Sequence, residues 1–125
     1  MNEWKVLLVD DEKEFVTTLS ERLHLRGVQS QTAFDGQEAL RLIEEDPPQV
    51  VVLDMMMPGM GGLEVLDRIR RRHPHIPVIL LTGHSSTQDG MKGMRLGAFD
   101  YLVKPLNIGE LIEKIRKAME SVQGQ

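Results

Sequence analysis

Apolar positions along this chain fall into two alternating patterns. Short unbroken runs, Val6-Leu7-Leu8-Val9, Val50-Val51-Val52-Leu53, Val78-Ile79-Leu80-Leu81 and Tyr101-Leu102-Val103, carry many β-branched residues and no polar alternation. Such runs suit strands buried on both faces of a parallel sheet. Val28 to Thr32 mixes polar and apolar residues, as an edge strand would. Between the runs, apolar residues recur at helical spacing. Phe15, Val16, Leu19 and Leu23 form one stripe, with Gly27 as its stop, and Ala39, Leu40 and Ile43 form another, closed by Pro47-Pro48. Leu63, Leu66 and Ile69 follow a turn-rich loop from Met55 to Gly61 and are ended by Pro74 and Pro77. Ile108, Leu111, Ile112, Ile115 and Met119 make the last stripe, with Asn107 placed as its N-cap. A further helix is expected over Ser86 to Leu96, although Gly90 and Gly93 fall inside it and each costs ~1 kcal/mol relative to alanine.

The alternation is (βα)5. It predicts right-handed crossovers and a doubly wound five-stranded parallel sheet with helices on both faces. The order 2-1-3-4-5 is the usual one for such a sheet, and it sets strands 1 and 3 side by side. Each strong run ends on a polar residue: Asp10-Asp11, Asp54, Thr82 and Lys104. In that order all of them meet at one sheet edge, where open α/β sheets bind ligands. A lone Asp after a strand is usually a turn residue or helix cap; the convergence of the whole set is what points to chemistry. Crowded carboxylates need a compensating cation, and Mg²⁺ (or Mn²⁺) with oxygen ligands is the economical one. Lys104 offers a fixed positive charge and Thr82 a hydroxyl for phosphate oxygens. Asp54, alone at the end of the most central run, is assigned as a nucleophile toward phosphorus, and the Asp10–Asp11 pair as metal ligands.

Composition changes this picture little. The 125 residues include 41% hydrophobic ones, enough for one core and no second domain, so 1–125 is read as a single domain with helix 5 ending near 120 and a short polar tail. A net charge of −4 favours neither nucleic acid nor an anionic membrane as a non-specific partner. There is no cysteine, and no apolar stretch approaches the ~18 residues of a membrane span. The start, Met1-Asn2-Glu3-Trp4-Lys5, lacks the apolar core of a signal peptide. A soluble cytoplasmic domain is expected.

Over essentially its whole length the chain resembles the receiver domains of bacterial two-component response regulators. The resemblance is carried by Leu8-Val9-Asp10-Asp11-Glu12, by Asp54-Met55-Met56-Met57-Pro58-Gly59-Met60, by Leu81-Thr82-Gly83-His84 and by Gly97-Ala98-Phe99-Asp100-Tyr101-Leu102-Val103-Lys104-Pro105. From Leu81 to Pro105 it is most similar to receivers of the nitrogen-regulator and nodulation-regulator types. The resemblance implies a flavodoxin-like receiver fold and a phosphorylation switch that turns over no external metabolite. In that switch Asp54 accepts a phosphoryl group from the phosphohistidine of a sensor kinase or phosphotransfer protein. It also implies that Asp10 or Asp11, with Asp54 and the backbone carbonyl of Met56, holds Mg²⁺, that Lys104 pairs with the phosphoryl group, and that Lys104-Pro105 is a cis peptide. On the same resemblance Thr82 and Tyr101 would form the switch, and the face of helix 4, strand 5 and helix 5 would carry the signal to a downstream output domain or protein. The resemblance also allows a homodimer through that face on activation.

Gly83 and Gly61 depart from the family's usual residues at harmless positions: the first stays small, and a glycine N-cap is only a few tenths of a kcal/mol weaker. Gly90 and Gly93 leave two readings, a weak surface helix supported by packing, or a helix that frays without phosphate and orders on activation. His84 and the Met56 side chain sit where they would influence water access to an acyl phosphate. Arg70-Arg71-Arg72 reads as a solvated helix end that complements the dipole, His73-Pro74-His75 as a loop and His24 as a solvated helix face. Two rival readings fit the residues less well. A haloacid-dehalogenase-type phosphohydrolase needs a second Asp where Met56 stands, and a degenerate receiver acting as a constitutive interaction module lacks one of the acidic, Thr or Lys residues, all of which are present here. A flavin or dinucleotide binder lacks its glycine-rich loop after strand 1.

Overall fold

Five strands and five helices alternate along the chain: β1 (Trp4–Val9), α1 (Lys13–Leu25), β2 (Val28–Ala33), α2 (Gly36–Glu45), β3 (Val50–Asp54), α3 (Gly62–Arg72), β4 (Val78–Thr82), α4 (Thr87–Arg95), β5 (Asp100–Val103) and α5 (Ile108–Gln123). These come from a computed structural model that describes residues 4–57, 59–83 and 87–123. All five strands form one parallel sheet in the order β2-β1-β3-β4-β5, the flavodoxin-like arrangement. Three of the four unbroken apolar runs became the interior strands β1, β3 and β4 because helices cover both faces of the sheet; the fourth, Tyr101-Leu102-Val103, is instead the edge strand β5, where only Leu102 is buried. Successive residues of one strand serve opposite cores: Val6 and Leu8 pack with α1 and α5, whereas Leu7 and Val9 pack with α2 and α3. Val50, Val52, Ile79 and Leu81 join the first core, and Val51, Leu53, Val78 and Leu80 the second. The mixed Val28 segment lies at the sheet edge, one residue longer than its sequence pattern indicated.

Helix boundaries follow local chemistry. Asp35 caps α2 by accepting from the Glu38 N–H at 2.8 Å, and Glu38 reciprocates by accepting from the Phe34 N–H at 2.8 Å. Asn107 caps α5 by accepting from the Glu110 N–H at 2.9 Å. That helix runs through Gln123, past the end expected near 120, so Ser121 and Val122 belong to its last turn rather than to a tail. The Arg70–Arg72 helix end is not merely solvated: Arg71 pairs with Asp67, Arg72 with Glu44, and Arg70 donates to the Pro74 carbonyl. His73 is likewise engaged, 2.9 Å from the same Glu44, whose carboxyl is held below its ordinary range first by that hydrogen bond. His24 is exposed.

The glycines of α4 have a packing role that composition alone conceals. Both are buried. A Cβ on Gly93 would lie 2.0 Å from Leu80 Cδ1, and one on Gly90 would lie 2.5 Å from Cδ2 of the Tyr101 ring. Helix 4 gives up propensity at these two positions so that it can lie directly on β4 and β5. The two contacts differ in what can yield. Leu80 is fully buried in the core, whereas Tyr101 is only partly covered. Gly93→Ala therefore gains ~1 kcal/mol of helix propensity against an overpacking cost of about 1–3 kcal/mol, and urea denaturation should show a net loss of up to about 2 kcal/mol. Gly90→Ala should leave stability within about 1 kcal/mol of wild type while displacing the ring, read as changed Tyr101 aromatic chemical shifts.

Candidate functional site

Strand register brings the polar run-ends together. Val9 pairs with Leu53, so Asp10 and Asp54 leave the sheet side by side; Asp54 pairs with Leu81 and Thr82 with Val103, so Lys104 follows next. The Lys104 N–H donates to the Thr82 carbonyl at 2.9 Å, and the Met55 N–H to the Leu81 carbonyl at 2.9 Å, which ties the ends of β3, β4 and β5 to one another. One oxygen from each of Asp10, Asp11 and Asp54 lies within 4.8 Å of the other two. Asp10 and Asp54 are buried, at 1% and 4% exposure, and Asp11 is half-buried at the rim.

A single ammonium holds this cluster. Lys104 Nζ stands 3.1 Å from Asp10 Oδ2, 3.4 Å from Glu12 Oε1 and 3.5 Å from Asp54 Oδ1. Asp10 Oδ1 also accepts from the Glu12 N–H at 2.9 Å, which fixes the turn into α1. The compensation is incomplete. Burial, and then the Asp10 charge, push the Asp54 carboxyl up to about 6, against the smaller downward pull of Lys104 and of the Met56 backbone N–H. On Lys104, burial disfavours the charged form, but Asp54, Asp10 and Glu12 together outweigh it and the ammonium is held above its ordinary value. Three oxygen donors that one ammonium does not neutralise fit a hard divalent cation.

Of the other residues singled out from sequence, Thr82 is fully buried, and its hydroxyl donates to the Leu102 carbonyl at 3.4 Å, a long and weak bond. Tyr101 lies on β5 with its ring against Gly90, and the Lys104–Pro105 peptide is cis. The Met56 side chain is 68% exposed beside Asp54 in sequence. His84, Pro58 and Ser86 lie outside the described residues. Two residues given no role from sequence reach the site: Glu12, and Phe15, whose ring centroid lies 4.6 Å from Lys104 Nζ. Glu12 had a signal in directly following the Asp pair, whereas Phe15 was legible only as the first member of an apolar helical stripe.

The raised Asp54 value has a consequence for stability. Between its ordinary 3.8 and the folded value of about 6, the folded chain binds the proton more tightly than the unfolded one. Stability is therefore greatest below that window, falls as pH rises through it, and stays lower above it. In metal-free buffer near pH 7.5, Asp54→Asn should resist urea better than wild type by on the order of 1–3 kcal/mol, with the gap closing toward about pH 4.

Residues 6–116 match the response regulator receiver domain model. The chain is 39% identical over 112 residues to the transcriptional regulatory protein TrcR of Mycobacterium tuberculosis, covering 90% of this chain and 44% of that protein, so it spans less than half the length of this relative. Among solved structures, the receiver domain of the Francisella response regulator 1452 superposes with a TM-score of 0.88 at 35% identity, over 95% of this chain and 98% of that one. The receiver domain of NtrX from Brucella abortus gives 0.89 at 34% identity, over 93% and 98%. Among the described residues no helix is long and apolar enough to cross a membrane. With its sheet order, its strand-end acidic cluster and this match over most of its length, the chain belongs to the response regulator receiver domains of two-component systems.

Proposed function

We propose that Asp54 is the phosphoacceptor of a phosphorylation switch, taking its phosphoryl group from the phosphohistidine of a sensor kinase or phosphotransfer protein. The reading rests on one observation: the oxygens of Asp10, Asp11 and Asp54 crowd within 4.8 Å at the strand ends, with the Lys104 ammonium set among them. Asp10, Asp11 and Asp54, with the Met56 carbonyl, would hold Mg²⁺ (or Mn²⁺), which when bound supplies charge neutralisation for the carboxylates and the incoming phosphoryl oxygens. An Asp54 oxygen forms the new O–P bond as the N–P bond of the donor breaks, and the donor imidazole keeps the bonding pair. Little covalent work falls to the protein beyond this, so orientation and charge placement dominate. Lys104, already paired with Asp54, follows the developing charge onto a phosphoryl oxygen.

Switching uses the weak bond at Thr82. Its hydroxyl exchanges the 3.4 Å contact with Leu102 for a phosphoryl oxygen, and Tyr101, one residue before Leu102 on β5, adjusts its ring against α4. Because Gly90 seats that ring, the change reaches the face formed by α4, β5 and α5, where a downstream output domain or protein reads it as a population shift. The domain catalyses only its own phosphorylation and dephosphorylation.

Intact mass after incubation with acetyl phosphate tests the reading. A single Mg²⁺-dependent, acid-stable and base-labile phosphoryl adduct is expected on wild type and none on Asp54→Asn. No adduct on folded wild type under any Mg²⁺ condition would instead indicate a constitutive interaction module.

A further inference from the structure

Lys104 has four partners in the structure, and they differ in kind. Asp10, Glu12 and Asp54 are carboxylates, at 3.1, 3.4 and 3.5 Å; the fourth is the face of the Phe15 ring, with its centroid 4.6 Å from Nζ. An ammonium within about 6 Å of an aromatic centroid is attracted by the ring quadrupole, more strongly when partly desolvated. Here the lysine side chain is only 22% exposed, and Phe15 is itself half-buried against the core shared by α1 and α5.

We propose that Phe15 is a positioning residue for phosphoryl transfer, its ring face holding the Lys104 ammonium over the gap between Asp10 and Asp54. The inference rests on the phosphoacceptor reading above and adds a residue to it. Hydrogen bonds to Asp10 and Glu12 and the charge of Asp54 pull the ammonium in competing directions, toward whichever carboxylate is least neutralised. Glu12 is the hazard, because it is 66% exposed at the rim and would draw Lys104 outward. A divalent cation and a phosphoryl group both compete for the carboxylates or alter their charge. The ring ligates neither, so its hold on Nζ persists through the reaction. Its place on α1, one turn past the Asp10–Asp11 turn, anchors Lys104, the residue following β5, to the element that follows β1.

The test replaces Phe15 with ring-fluorinated phenylalanines carrying one, two and three fluorines, which keep the shape while progressively weakening the quadrupole. Phe15→Leu and Phe15→Tyr complete the series. Two readouts are taken: the initial rate of Asp54 phosphorylation by acetyl phosphate at fixed Mg²⁺, and the Lys104 Hε chemical shift without phosphate. The expected result is a stepwise fall in rate with fluorine number, a loss of roughly 3- to 20-fold in Phe15→Leu, and Phe15→Tyr within about twofold of wild type. The Hε protons should lie upfield in wild type and move to ordinary values in Phe15→Leu. A flat fluorine series in a wild type that phosphorylates normally would overturn the positioning role and leave the phosphoacceptor reading intact. An Hε shift unmoved by Phe15→Leu would overturn the contact itself. Wild type that takes up no phosphoryl group would overturn both. Should Phe15→Leu not fold, the fluorinated series, which preserves volume, decides alone.

Discussion

Three carboxylates at the end of two adjacent parallel strands repel one another, and the site depends on how that repulsion is contained. The sheet forces the closeness: once Val9 is in register with Leu53, Asp10 and Asp54 have no route apart that does not break a buried strand. Burial then deepens the problem, because Asp10 and Asp54 are almost wholly removed from water. One ammonium, from the residue that follows β5 on the far side of β4, answers it in part. The remaining imbalance appears in the upward displacement of the Asp54 carboxyl, and on the function proposed above it is what a cation and then a phosphoryl group would relieve. Stability is given up at the place to which we assign the function, as is common where charge is buried at working sites.

The path from this cluster to the surface is short and mechanical. Thr82 is the last residue of β4 and bonds weakly to β5 at Leu102; Tyr101 precedes Leu102 and lies against α4. A change in what the threonine hydroxyl bonds is therefore felt within one strand by the residue that α4 packs on. The glycines of α4 matter for this reason. Alanine at Gly90 would separate helix and ring, and alanine at Gly93 would collide with a core leucine that has nowhere to go. Helix propensity is subordinate here to the distance between backbone and sheet.

Much of this was legible in the chain itself. Three of the unbroken apolar runs announced strands covered on both faces, and Val6 through Val9 does divide its side chains between two cores; the Tyr101 run failed that reading because it ends the sheet. The polar residues ending those runs identified the edge at which they meet, since a parallel sheet leaves little choice about where strand ends go. What sequence did not disclose depended on distances between elements far apart in the chain. Phe15 reads as a core residue of α1 until Lys104, far along the chain, is seen over its ring. Gly90 and Gly93 read as weaknesses of α4 until Tyr101 and Leu80 are seen occupying the space a side chain would fill. The arginines ending α3 are solvated as the sequence indicates, but the pairing of Arg72 with Glu44 was hidden because Glu44 belongs to another helix.

The central claim is that the carboxylates at these strand ends are crowded beyond what Lys104 neutralises. Titration of the Asp54 side-chain carboxyl by ¹³C NMR, first in metal-free buffer and then with saturating Mg²⁺, tests it most directly. The account predicts a midpoint near 6 without metal and a clear fall when Mg²⁺ is added, as the cation relieves the repulsion. A midpoint at the ordinary aspartate value that Mg²⁺ does not move would contradict it.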